Sequence, residues 1–295
     1  MARTVTIFCV GALASVVGQA CGGSRPATLA LNRPDLVIPP LDAGPGDGAG
    51  TGDGVRFRHP VAELGTAWHV VVHASSRSLD GPSGEQISSY DSAFRVEVLA
   101  VDGPAPSRVS LRFERNVYRY QGREAPTVID GKEYVVDARA PHVRVAGGAA
   151  APEAETEHVL DVFPDLGTRT RIDEVLPDDT MRVGDTRDEL AVAVLRVIHP
   201  RAWTLRAGSA TLSRSEGGSA VFDVILDASS TSGLHMVLNG EARVALRDSQ
   251  LVDLRLDGTY EGARDSGTDA PPGTFSLRRT LTSAPTSGQA PRSDR

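Results

Sequence analysis

The chain has 295 residues and a mass of 31.1 kDa, room for one large domain or two small ones. It is 40% apolar and 23% charged with a net charge of -7, which excludes the clustered excess of cations that nucleic-acid binding needs. Beyond an N-terminal run, no apolar stretch approaches the roughly 20 residues of a spanning helix, and two cysteines are too few for a disulfide framework or a structural zinc cage.

Those two cysteines are informative by position. Met1-Ala-Arg-Thr carries one positive charge, and residues 5–17 are uncharged and mostly apolar. This is the layout of an export signal, whose apolar region of roughly 7–15 residues is too short for a permanent span. Val17-Gly18-Gln19-Ala20-Cys21-Gly22-Gly23-Ser24 follows. A small residue before a cysteine, then Gly and Ser, resembles the lipobox of bacterial lipoproteins. Gly18 and Gln19 depart from the aliphatic and small residues usual at those positions. The resemblance implies cleavage after residue 20, lipidation of Cys21 and, with Gly22 rather than aspartate next, an outer-membrane destination. The alternative is ordinary cleavage and a soluble periplasmic or secreted protein. Cys9 leaves with the signal, so Cys21 has no partner in the mature chain. A lipidated cysteine accounts for that better than an unpaired thiol in an oxidising compartment.

Residues 21–54 read as a tether. Arg33-Pro34-Asp35-Leu36-Val37-Ile38-Pro39-Pro40 is followed by a Gly/Asp-rich run to Gly54, a composition that cannot bury a core. The run lacks the terminal Glu of an EF-hand, so a solvated linker is preferred over a calcium site. Residues 283–295 are a polar tail.

Residues 55–282 read as mainly β, built of antiparallel strands. Phe94, Val96 and Val98 alternate with Arg95 and Glu97, and Val109, Leu111 and Phe113 alternate with Ser110 and Arg112. Ala242, Val244 and Leu246, and later Phe275, Leu277 and Leu281, keep the same period of two. Such alternation predicts sheets with one packed and one wet face. Asp130-Gly131 and Asn239-Gly240 carry the residues tight hairpins prefer. Residues 152–165, acidic at the start and followed by Gly167, predict a short helix. Residues 190–198 are apolar on both faces and fit a central strand or a short helix; the strand is preferred.

Phe57-x-x-Pro60 with Gly65-Thr66-Ala67-Trp68, and Leu176-Pro177 with Gly184-Asp185-Thr186-Arg187, each open a predicted strand. The second segment, with Asn239-Gly-Glu-Ala-Arg-Val and Gly258-Thr259-Tyr260, resembles uncharacterised bacterial β-rich lipoproteins built from two similar halves, which carry a Leu-Pro…Val-Gly-Asp-x-Trp signature. Arg187 stands where the signature has Trp. The resemblance implies curved antiparallel sheets, a half-barrel or sandwich, in halves of about 55–146 and 175–282 joined by a helical connector of about 152–174. It implies no catalytic residues. A turn releasing a strand explains the paired motifs as well as a duplication does.

His69 and His73 have the spacing of a helical zinc pair, but Val70, Val71 and Val72 argue for a strand. On a strand the two rings stand about 13 Å apart at roughly 3.3 Å per residue, too far to share a metal. No Gly-x-Ser-x-Gly elbow is present, and Ser83 reads as a turn residue. Asp223 and Asp227 are spaced too widely on a strand for a glycosidase pair, and Asp161 with Asp165 reads as a solvated helix face. Trp68 and Trp203 fit a sugar platform less well than core packing. Lys132 is the sole lysine; the arginine excess suits either anionic lipid or glycan recognition or, since the arginines are dispersed, a compositional bias.

No cofactor and no metal are expected. The favoured reading is a non-enzymatic, membrane-anchored lipoprotein, its partner the membrane through the lipid on Cys21, with a binding or envelope-structural role. One alternative is a carrier holding a lipid or other amphiphile in an apolar half-barrel faced by Phe94, Val96, Leu111, Phe113, Val224 and Leu226. A filled core explains the same six residues. The last alternative is a hydrolase whose site assembles only in three dimensions.

Overall fold

The computed structural model describes residues 54–78, 85–138, 142–163, 166, 171–198, 203–231, 233–262 and 272–284. Cys21, Ser83 and Asp165 lie outside them. The protein is mainly β: eleven antiparallel strands form one open sheet that does not close into a barrel.

The first half supplies β1 (Ala67–Ser78), β2 (Gln86–Asp102), β3 (Ala105–Tyr120), β4 (Arg123–Pro126), β5 (Glu133–Asp137) and β6 (His142–Val145). Three helices follow: α1 (Glu153–Val162), α2 (Arg171–Val175) and α3 (Asp188–Ile198). The second half supplies β7 (Trp203–Glu216), β8 (Ser219–Ser230), β9 (Leu234–Ala245), β10 (Leu251–Gly262) and β11 (Gly273–Ser283). The spatial order is β6-β5-β3-β2-β1-β11-β10-β9-β8-β7, with β4 paired beside β5 on the edge of β3. Each half is therefore a meander, and the halves join where the first strand pairs with the last, Trp68 opposite Ser283 through Ser78 opposite Gly273.

The helices and the core lie on one face. Around the second half, α2 and α3 pack Ile172, Leu190, Val194 and Ile198 onto Phe222, Leu226, Leu238 and Leu256. Around the first half, Val159 of α1 packs with Phe94, Leu111, Phe113 and Tyr134. Aromatic contacts tie that core, with Phe113 5.4 Å from Phe94 and 6.1 Å from Tyr134 between ring centres. Phe57, in the chain leading to β1, stacks on Phe222 of the other half at 6.2 Å.

Three local expectations are corrected. Residues 190–198 belong to helix α3, not to a strand. Asp188 and Glu189 sit favourably at its N-terminal end and Arg196 at its C-terminal end. Its buried Leu190, Ala191, Val194, Leu195 and Ile198 follow helical spacing. The motif at 176–187 consequently opens a helix, with Gly184 donating its N–H to Leu212 O at 2.8 Å. Asn239-Gly240 is no hairpin but the middle of β9, paired on both sides. The tight turn of that region is Gly217-Gly218, both at positive φ, between the paired Glu216 and Ser219. Asp130-Gly131 does turn the chain, but between β4 and β5, which pair with β3 and not with each other. The predicted helix after residue 152 is present as α1.

Candidate functional site

The covered face is not uniformly filled. Where the halves meet, a cavity of about 350 Å³ lies between the central strands and the helices. Trp68, Val70 and Val72 of β1 form its floor. Phe94 and Val96 of β2 stand on one side, Leu277 and Leu281 of β11 on the other. The register makes this a continuous apolar surface, because Val70 pairs with both Phe94 and Leu281, and side chains directly opposite across a ladder share a face. The roof is the end of α1 (Val162, Phe163), Ile172 of α2 and the last turn of α3 (Arg196, Val197, Ile198). Loop residues 60–66 make a rim. Val61, 57% exposed, lines the cavity, so the space reaches the surface there.

Polar groups share the wall, and some are held in place from behind. Tyr90 and Ser92 accept hydrogen bonds from the buried Asn116 amide at 2.7 and 2.9 Å, and Thr127 donates to the Asn116 carbonyl at 2.6 Å. Arg279 of β11 also lines the cavity and donates one hydrogen bond, from Nη1 to Leu251 O at 3.0 Å. A lining that is mainly apolar with a few fixed polar groups is the usual character of a small-molecule site.

The structure divides the sequence candidates. Phe94 and Val96 line the cavity. Leu111 and Phe113 lie in the filled core of the first half, Val224 and Leu226 in that of the second. Trp68 is on the cavity floor, whereas Trp203 is buried in the second core. His69 and His73 point away from the cavity, to Glu114 at 3.1 Å and Asp91 at 2.6 Å. Burial alone would raise the Asp91 carboxyl, but the hydrogen bonds from His73 and Arg119 hold it below its ordinary value. Asp227 pairs with His235 at 2.9 Å, apart from Asp223 on the same outer face. Asp161 lines the cavity. Among the described residues no cluster of three or more His, Cys, Asp or Glu side chains is placed to hold a metal ion.

Arg279 and the loop 60–66 were not anticipated. The signal for Arg279 was present, since it occupies the inward phase of Phe275, Leu277 and Leu281.

No protein-family model and no curated protein matches the chain. Among solved structures, DynF from the dynemicin biosynthesis pathway of Micromonospora chersina aligns over 78% of this chain and 95% of its own, at 9% identity and a TM-score of 0.22. That score carries no argument about function.

Proposed function

We propose that this protein is a non-enzymatic binding protein that carries an amphiphile in the cavity between its two halves, held at a membrane through a lipid on Cys21. The cavity is the observation that supports the carrier over a purely structural role. The cavity wall is largely apolar, and an apolar ligand would make dispersion contacts with it. Its volume falls in the range of roughly 300–1,000 Å³ typical of ligand pockets. The exposed Val61 on the rim, 57% exposed, gives an apolar tail a route in from the surface. A hydrolase has less support, because no histidine is among the described residues that line the cavity.

The test is binding of N-phenyl-1-naphthylamine, an uncharged apolar dye, to wild type and to Val72→Trp. Wild type is expected to bind about one dye with a blue-shifted emission. Trp at position 72 occupies the floor and is expected to weaken binding at least about tenfold while the fold persists by circular dichroism. No dye binding by wild type, or equal binding by a folded variant, overturns the carrier.

A further inference from the structure

Resting on the reading that the cavity takes an apolar ligand, we infer that this ligand is an anionic single-chain amphiphile whose carboxylate or phosphate-monoester head is held by Arg279.

The inward face of a strand in an apolar core is an unusual place for a guanidinium. Arg279 pairs with Val72 on one side and Leu254 on the other, with Leu277 and Leu281 two residues away on the same face. It is partly buried and lines the cavity. Burial lowers its pKa to about 10 from an ordinary 12.5, so the side chain stays charged at neutral pH. Yet it makes no ion pair among the described residues, and its one hydrogen bond goes to Leu251 O. A guanidinium carries five N–H donors in a planar fork suited to two oxygens of one anion. Most of that fork therefore has no protein acceptor among the described residues, and the side chain lines the cavity. A charge partly withdrawn from water with no counter-ion is disfavoured, and an anion entering the cavity offsets that.

The other charges around the cavity do not supply the counter-ion. Asp161 and Asp173 each engage another group. Asp248 pairs with Arg247 at 3.0 Å, and Glu63 is exposed on the rim. Arg196, on the roof, adds a second cation with no ion pair among the described residues. The apolar floor takes the tail, and a cavity of about 350 Å³, small for a ligand site, favours one chain over several.

Displacement of the naphthylamine dye by dodecanoate, dodecyl phosphate, dodecanol and dodecyltrimethylammonium tests this in wild type, Arg279→Met and Arg279→Lys. In wild type at least one of the two anions is expected to displace dye at a concentration at least about tenfold lower than dodecanol, the cation being weakest; which anion leads identifies the head. A charge-assisted bidentate contact is of that strength. Arg279→Met is expected to abolish the preference while dodecanol stays within about threefold of wild type, and Arg279→Lys to keep part of it. Equal displacement by anion and alcohol in wild type overturns the inference and leaves the carrier standing. A preference that persists in folded Arg279→Met overturns it too, by placing the head elsewhere. Should Arg279→Met not fold, a Lys variant without any loss of anion preference does the same, because a point charge cannot replace a fork. Failure of all four amphiphiles to displace bound dye removes the carrier and the inference together.

Discussion

Glu155 is the side chain through which helix α1 is fastened to the sheet. Its two oxygens accept from Lys132 Nζ and from the buried Tyr134 hydroxyl, each at 2.6 Å. The Lys132 hydrogen bond, and then that of Tyr134, hold the Glu155 carboxyl below its ordinary 4.5. Burial, and then the Glu155 charge, push the Tyr134 hydroxyl upward, so it remains a donor across the working pH range. A carboxyl with a depressed folded-state pKa binds its proton more readily when unfolded. Its contribution is therefore complete above about pH 4.5 and is lost as pH falls through the lower folded value. Glu155→Gln is expected to cost about 1–2 kcal/mol at pH 7, discounted because Lys132 is half exposed. The difference from wild type should shrink toward zero in acid. Urea unfolding at pH 7, 5 and 3 checks this, and a difference independent of pH would remove the ionic tie. The lone lysine of the sequence thus has a local role that its dispersed arginine background did not suggest.

Elements show why some of the fold was legible and some was not. Strands β2, β3, β9 and β11 announced themselves because one face is dry and the other wet, so polarity alternates with backbone geometry. Helix α3 has no such contrast. Val192, Val194 and Val197 favour a strand locally, and with Arg196 the one charged residue among 190–198, polarity marks the helical period only weakly. What decides for the helix is the acidic first turn and the space over β7, and only the former is written in the sequence. The cavity was least legible, because period-two reading reports which residues face inward and not whether anything fills the space they face. Hence Phe94 and Leu111 looked equivalent, although only Phe94 lines it. Gly240 shows the same limit from another side. Its partner Asn239 suggested a turn, but the glycine is required by crowding within the sheet, where an added Cβ would fall onto the Arg255 carbonyl oxygen. Both colliding groups are backbone and neither can rotate away. Gly240→Ala is expected to cost at least about 2 kcal/mol, within the range of overpacked sites. Gly147→Ala, where a Cβ meets open space, should stay within about 0.5 kcal/mol. Equal denaturation midpoints for the two variants would contradict the crowding.

At the scale of the whole molecule, the proposed attachment and the proposed binding fall on separate stretches of chain. Among the described residues the cavity lining starts at Pro60 and the core at Val55 and Phe57. Val55 is fixed by reciprocal backbone hydrogen bonds with Met181 at 2.7 and 2.8 Å, and Ser249 donates to Arg58 O at 2.7 Å. These contacts clamp the entering chain to the second half before it becomes β1 of the first. Among the described residues, both the cavity wall and this clamp lie downstream of Gly54, and the proposed anchor lies upstream of it. Cys21, 33 positions before Gly54, is upstream in this sense (54 minus 21). The proposed anchor then predicts a clean separation. Cys21→Ser expressed in cells should lose incorporation of radioactive palmitate and move from the membrane to the soluble fraction, since no other thiol remains after the signal is removed. The same purified variant should bind the naphthylamine dye with an affinity within about twofold of wild type. Membrane retention with undiminished labelling would refute the lipid on Cys21 and leave the cavity untouched. Loss of dye binding on removing the thiol would instead mean that residues before Gly54 complete the site, and the clamp at Val55 and Arg58 would then have to be a hinge between them.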